Sequence, residues 1–111
     1  MRDLIRQGDV LLIPTADAIP ENGKLDASGI LAAGEVTGHH HRVRKEDKHA
    51  AKLYRVASWG NQPSAYLQVG EQSISITHEE HAPVSVPPGR YAVRIMREFD
   101  AVEEIARQVR D

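Results

Sequence analysis

Histidine is the residue type that this sequence distributes most unevenly. Three consecutive histidines, His39, His40 and His41, follow a segment bracketed by glycines, and His78 and His81 form a second cluster well downstream. An imidazole titrates near neutral pH and is also a common metal ligand, so a group of imidazoles can act as acid and base or can bind a metal. The two clusters are therefore the candidate chemistry of the chain.

Side-chain alternation predicts which of these histidines share a face. If the first cluster is extended, His39 and His41 point one way, while His40 and Arg42 point the other way. Before the second cluster, isoleucines alternate with serine and threonine. That alternation predicts that His78 leaves its strand on the apolar side.

A metal site is one chemistry that these residues permit. His39 and His41 would come from one strand, joined by a histidine of the second cluster and by a carboxylate. The candidates for those further ligands are His78, His81, Glu35 and Glu79. Such a sphere suits zinc, iron or manganese.

The spacing from Gly34 to His41 resembles the first motif of the cupins, small double-stranded β-helices that bind a metal through Gly-x4-His-x-His. The resemblance covers about ten residues. In cupins the histidine of the second motif follows a Pro-x-Gly turn, whereas here His78 and His81 precede Pro87-Pro88-Gly89.

Metal-free cleavage of a phosphodiester is the alternative chemistry. Cutting RNA through its own 2′-hydroxyl needs a base, an acid and cations for the crowded phosphorus centre. The base and the acid would come from the two clusters, with His39, His41, His78 and His81 as the candidates. Substrate contacts would come from the surrounding segment, with Thr37, Gly38, His40, Arg42, Arg44 and Lys45 as the candidates.

A non-catalytic nucleotide-binding module would need the same cations but not the histidines.

Composition limits these alternatives. A chain of 111 residues is predicted to form a single domain, residues 1–111, and its net charge of −2 does not suit a general nucleic-acid coat. Cysteine is absent, which excludes disulfides, thiolate zinc sites and thiol nucleophiles. The first residues lack the apolar core of a signal peptide, and no apolar run reaches membrane-spanning length. We therefore expect a cytoplasmic protein with no membrane partner.

Short strands separated by glycine and proline turns dominate the pattern. The predicted strands are Val10–Ile13, Ile30–Ala33, Lys52–Ser58, Ala65–Val69, Ile74–His78 and Arg90–Phe99. The segment before the last strand, Pro83–Gly89, is predicted to be a stiff connector. The tail has helical spacing instead, with apolar residues at Val102, Ile105, Ala106 and Val109. We predict a mainly β fold, a small antiparallel sheet or barrel-like domain, with one short C-terminal helix.

The chain also resembles, end to end, a set of small bacterial and phage proteins that are associated with the ring nucleases of type III CRISPR defence. The shared segments are QGDVLLIP from Gln7, GEVTGHxH from Gly34, HEEH from His78 and PGxYxV from Pro88. The resemblance implies a homodimer, a small RNA or cyclic oligoadenylate ligand, and cleavage without a metal or other cofactor. We therefore predict a histidine-dependent, metal-independent phosphodiesterase. The apolar stripe of the C-terminal helix is the candidate dimer surface, and the alternative is that it packs against the sheet of its own chain.

Overall fold

The computed structural model describes residues 3–33, 39–57 and 62–96, and within them β-strands are the main regular structure. The strands are β1 (Ile5–Gln7), β2 (Val10–Pro14), β3 (Lys24–Leu25), β4 (Ile30–Ala33), β5 (His40–Val43), β6 (Ala51–Arg55), β7 (Ala65–Val69), β8 (Ile74–Thr77), β9 (Val84–Val86) and β10 (Gly89–Ile95). A 3₁₀ helix spans Lys45–Ala50. The mainly β prediction is confirmed, while the predicted C-terminal helix lies outside the described residues.

The strands form two antiparallel sheets. One sheet has six strands in the order β1-β2-β10-β7-β6-β3, and the other has four in the order β4-β5-β8-β9. Both sheets contribute inward-facing side chains to one hydrophobic core. Its largest fully buried members are Leu12, Leu31, Leu67, Ile74, Ile76 and Tyr91. Alternation along β7 and β8 follows this burial, because every second side chain of those strands is buried.

The segment predicted to be a stiff connector before β10 contains a strand instead. β9 pairs with β8, and the register places Val86 opposite Ile74, where both side chains are fully buried. Cross-strand pairing and burial therefore override the prolines, which flank this strand at Pro83 and Pro87. As a result β9 covers the outer edge of β8, the strand that leads into the second histidine cluster.

A tight turn between β1 and β2 brings the six-stranded sheet against one end of the four-stranded sheet. Gly8 in this turn has φ +58°, in the left-handed region that favours glycine. The side chain of Gln7 donates to the carbonyl oxygen of Ile76 on β8, at 2.9 Å, so β1 is tied to the opposite sheet. The turn therefore faces the end of the sheet at which both histidine clusters lie.

The described residues contain no helix with the length and hydropathy of a membrane span.

Candidate functional site

The structure brings together the four histidines predicted to be catalytic. The ring of His78 lies 4.2 Å from that of His41, 4.7 Å from that of His81 and 5.6 Å from that of His39, measured between centroids. β5 and β8 pair antiparallel, and this pairing places the two clusters side by side. The prediction that His78 leaves its strand on the apolar side is confirmed, because its ring contacts that of the buried His41.

His41 is the buried member of this cluster, and both of its ring nitrogens have partners. Nδ1 lies 2.9 Å from Oε1 of Gln7, and Nε2 lies 3.1 Å from Oδ1 of Asp9. Burial lowers the pKa of His41, and repulsion from His78 adds to that effect, while the Asp9 carboxylate opposes it. The imidazole of His41 is therefore held between an amide of β1 and a carboxylate of the β1–β2 turn.

Sequence reasoning did not select Gln7 or Asp9 as site residues. The only signal for them was their place in a segment shared with the resembling proteins, QGDVLLIP. They reach the site because β1 and the turn after it pack against β8, a contact between segments far apart in sequence.

Gly8 leaves space that the histidines occupy. A Cβ atom at Gly8 would lie 2.6 Å from Nε2 of His81 and 3.2 Å from Cε1 of His41. The first distance is shorter than a van der Waals contact allows. A larger residue at position 8 would therefore force the ring of His81 to shift, and the positive φ favours glycine there independently.

Two carboxylates of the second cluster complete the surroundings of the rings. Oε2 of Glu79 accepts a hydrogen bond from the backbone N–H of His40 at 2.9 Å, and this bond is the main reason that the pKa of Glu79 is lowered. Oε1 of Glu80 lies 3.3 Å from Nδ1 of His39. The backbone N–H of Glu80 donates to Nδ1 of His78 at 3.0 Å. The imidazoles are thus interleaved with acidic groups.

One group of these side chains has the composition of a metal site. His39, His78 and Glu79 each offer one ligand atom, and the three atoms lie within 4.8 Å of one another. His39 and His78 are half-buried, and Glu79 is exposed. The other carboxylate proposed from the sequence, Glu35, lies outside the described residues.

The cations predicted to bind substrate lie elsewhere. Along β5, His41 and Val43 are buried, so Arg42 points away from the histidine cluster, to the outer face of the sheet. There Arg42, Arg44 and Lys45 line a concavity of about 440 Å³. Arg44 also pairs with Asp47 at 3.2 Å.

The other predicted substrate contacts are also separate from the rings. His40 alternates onto the same side of β5 as Arg42, although its backbone binds Glu79. Thr37 and Gly38 lie outside the described residues. Among the described residues, the structure therefore surrounds the four histidines with carboxylates, and it puts the predicted cations on the other face of the sheet.

A comparison with protein-family models assigns the chain to a family. Residues 6–96 match the model of a family described as a domain of unknown function, DUF8820. No curated protein and no solved structure matches the chain. The family match runs from within β1 to the residue after β10, and it spans most of the sequence. The chain therefore belongs to the DUF8820 family.

Proposed function

We propose that this chain binds a divalent transition metal at its histidine cluster and uses the metal in a hydrolytic reaction. The observation that carries the proposal is the convergence of His39, His78 and Glu79, whose donor atoms lie within 4.8 Å of one another. A metal with bonds of about 2.0–2.2 Å holds its ligands roughly 3–4 Å apart. Small rotations of side chains that are only half-buried or exposed would close the group around an ion.

The carboxylates around the histidine rings favour binding of a cation there over binding of an anionic substrate. Three carboxylates approach the rings: Glu79, Glu80 and Asp9. A phosphate would be repelled by these groups, whereas a metal ion would be attracted by them. The cations predicted to bind substrate, Arg42, Arg44 and Lys45, lie on the opposite face of the sheet.

The number of ligands indicates the kind of reaction. Two histidines and one carboxylate leave coordination positions for water and substrate, as in hydrolytic zinc sites. One change is needed at His78, because its Nδ1 accepts the N–H of Glu80 and its proton is therefore on Nε2 in the neutral ring. A metal would bind through Nδ1 in place of that hydrogen bond, or through Nε2 once the peptide of Glu80 turns away.

Metal analysis of the protein, purified without a histidine tag, tests this proposal. We expect stoichiometric zinc, iron or manganese, or micromolar binding of Zn²⁺ by calorimetry. His39→Ala and Glu79→Gln should each weaken binding at least roughly tenfold. His49→Ala is the matched control, since His49 is exposed on the 3₁₀ helix and outside the cluster. The absence of binding at millimolar Zn²⁺ would refute the proposal.

We propose metal-independent cleavage of a small RNA-like substrate as a second candidate function. The observation that favours it is the contact between His41 and His78, which brings a histidine with a lowered pKa beside another from a different strand. The pair could supply the base and the acid of a 2′-hydroxyl attack. The proposed substrate class includes cyclic oligoadenylates, and the proposed setting is a cytoplasmic homodimer.

Chelation separates the two candidates. Activity that survives EDTA, acts on a ribo-substrate and fails on its deoxyribo counterpart would support the metal-free route. In that case His41→Ala and His78→Ala should each cost about 10²-fold or more in rate. Activity that is lost in EDTA and restored by added metal would support the first proposal.

A further inference from the structure

A second concavity lies between the two sheets, at the side where β3 forms the edge of the larger sheet. It has a volume of about 240 Å³ and opens to solvent. Val43 of β5 and Leu53 of β6 line it, and both are buried members of the hydrophobic core. None of the four clustered histidines lines it. The core between the sheets therefore reaches the surface here, at a place separate from the histidine site.

The cavity is open because β3 is short. β3 has only two residues and pairs with the last two residues of β6. The chain then continues to Asp26, whose backbone N–H donates to the carbonyl oxygen of Leu53 at 2.8 Å. Among the described strands, the first part of β6, which includes Ala51, has no neighbour on this edge.

Hydrogen bonds fix the wall that the chain forms after β3. The carboxylate of Asp26 accepts bonds from Nε of Arg55 at 2.9 Å and from the hydroxyl of Ser28 at 2.6 Å. Arg55 also donates to the carbonyl oxygen of Leu31 on β4 at 3.0 Å. This wall is thus tied to both sheets. The cavity is pre-formed in this respect, as small-molecule sites usually are.

The lining combines apolar surface with positive charge. Leu25 is a large apolar side chain, and it is 60% exposed beside the cavity. Lys48 and Lys52 also line the cavity, and within the described part of the chain neither forms an ion pair. The carboxylate in the lining, that of Asp26, is already paired with Arg55. A ligand that matches this lining has an apolar body and a negatively charged group.

We propose that this cavity binds a small organic acid, with its apolar body against Val43 and Leu53 and its carboxylate beside Lys48 and Lys52. An apolar cavity of about 150 Å³ accepts benzene, so about 240 Å³ has room for one ring with a short acidic arm. Burial of the apolar body supplies most of the affinity, and the lysines select the anion, because exposed ion pairs contribute little free energy. Binding here does not depend on a metal at the histidines.

Titration with phenylacetate, followed by calorimetry and by ¹H–¹⁵N NMR in the presence of EDTA, tests the site. Phenylacetamide is the neutral control of nearly the same shape, and acetate is the control without the ring. We expect saturable binding of phenylacetate with a Kd on the order of 1 mM, and roughly three- to tenfold weaker binding of phenylacetamide. Acetate should not bind measurably. The largest amide shifts should be those of Val43, Ala51 and Leu53.

Three outcomes of this titration would overturn the proposal. The first is the absence of saturable binding at phenylacetate concentrations roughly tenfold above the expected Kd. The second is equal affinity for phenylacetate and phenylacetamide, which would exclude recognition of the anion. The third is a set of shifts centred on the histidine cluster, which would place the ligand elsewhere.

Ala51→Phe tests the location, because Ala51 lies on the same face of β6 as Leu53 and a phenyl ring there would fill the cavity. We expect no measurable binding of phenylacetate by this variant. Ala57→Phe is the matched control, at an exposed alanine after β6 that does not line the cavity, and it should bind as the wild type does. Thermal unfolding checks that both variants fold. Unchanged binding by folded Ala51→Phe would exclude this cavity.

Replacement of the two lysines by methionine tests the charge without a large change in packing. The double variant Lys48→Met, Lys52→Met should bind phenylacetate roughly three- to tenfold more weakly and phenylacetamide as the wild type does. Lys24→Met is the matched control, since Lys24 is exposed on β3 but does not line the cavity. Equal losses for the two ligands, or no loss for either, would refute selection of an anion by these lysines.

Discussion

Two polar clusters are attached to the four-stranded sheet, and they differ in how their charges are matched. The first is centred on Asp47, a buried carboxylate in the 3₁₀ helix. Arg44 donates to its Oδ1 at 3.2 Å and to its Oδ2 at 3.3 Å, and the backbone N–H of Ser75 donates to Oδ2 at 2.8 Å. The hydrogen bonds from Arg44 are the main reason that the pKa of Asp47 is lowered. Every oxygen of this carboxylate has a donor from the protein.

The histidine cluster is built from similar groups but is not matched in this way. Asp9 lies 3.1 Å from Nε2 of His41, and Glu80 lies 3.3 Å from Nδ1 of His39, so these carboxylates face imidazoles and not guanidinium groups. The comparison distinguishes a polar cluster that stabilises the fold from one that could bind a ligand. A buried charge with a full set of donors stabilises the fold, whereas a partly exposed group of imidazoles and carboxylates offers the ligand types that the proposed metal would use.

The substitution with the largest expected effect is Gly8→Ala, because it moves the histidines directly. The new Cβ would lie 2.6 Å from Nε2 of His81, so this ring must shift. We expect roughly 10- to 100-fold weaker Zn²⁺ binding, as for other changes that disturb ligand orientation. Calorimetry on the two proteins measures this effect.

Gly29→Ala is the matched control for that substitution. Gly29 also has a positive φ, +71°, but a Cβ there would meet its nearest neighbour, Val43, at 3.6 Å, an ordinary contact. Both variants should therefore lose about 1 kcal/mol of stability from backbone strain, while only Gly8→Ala should lose metal binding. Equal losses of binding in the two variants would mean that strain, and not the position of His81, is responsible.

Asp47→Ala should have a large effect on stability and none on the site. The substitution leaves the N–H of Ser75 without its acceptor and removes the partner of Arg44. We expect a loss of about 1–3 kcal/mol in the free energy of unfolding, measured by urea denaturation. Zn²⁺ stoichiometry should stay as in the wild type. A change in stoichiometry would show that the two clusters are coupled and would weaken the comparison.

A third polar contact, that of Asp26 with Ser28 and Arg55, makes the free energy of unfolding depend on pH. Hydrogen bonds from Ser28 and Arg55 lower the pKa of Asp26 from 3.8 to about 2, with Ser28 the larger cause. Since the folded pKa is the lower one, this contribution is complete above pH 3.8 and is lost as the pH falls towards 2. It amounts to at most about 2 kcal/mol.

Acid denaturation followed by circular dichroism measures this contribution. Arg55 also donates to the carbonyl oxygens of Ile30 and Leu31 on the other sheet, so the pair stabilises the contact between the sheets. Asp26→Asn should be less stable than the wild type at pH 6, and the difference should shrink between pH 4 and pH 2. A difference that stays constant with pH would exclude the carboxylate as its source.

His49→Ala should have the smallest effect. His49 is exposed on the 3₁₀ helix, and it does not belong to the group of four rings. We expect a change within about 0.5 kcal/mol in stability and no change in Zn²⁺ binding. A clear loss of metal would show that the ligands extend beyond the two clusters.

Much of the fold was predictable because it depends on local pattern. The apolar run of β2 and the alternation of β7 and β8 predicted their burial, since a strand shows its two faces in its sequence. The same alternation predicted that His41 and Arg42 lie on opposite faces of β5. That geometry argues against a site in which Arg42 and the buried His41 contact the same substrate.

The composition of the site was decided by tertiary structure. The sequence by itself determined most of the longer strands, the faces of the first histidine cluster and the lack of thiol chemistry. It did not determine that Gln7 and Asp9 meet His41, or that β9 covers β8, because these contacts join segments far apart in the chain. Strand register and the packing of the two sheets bring them together, and neither has a signature in the neighbouring residues. The carboxylates and the amide that give the histidines their chemistry are thus a consequence of the fold.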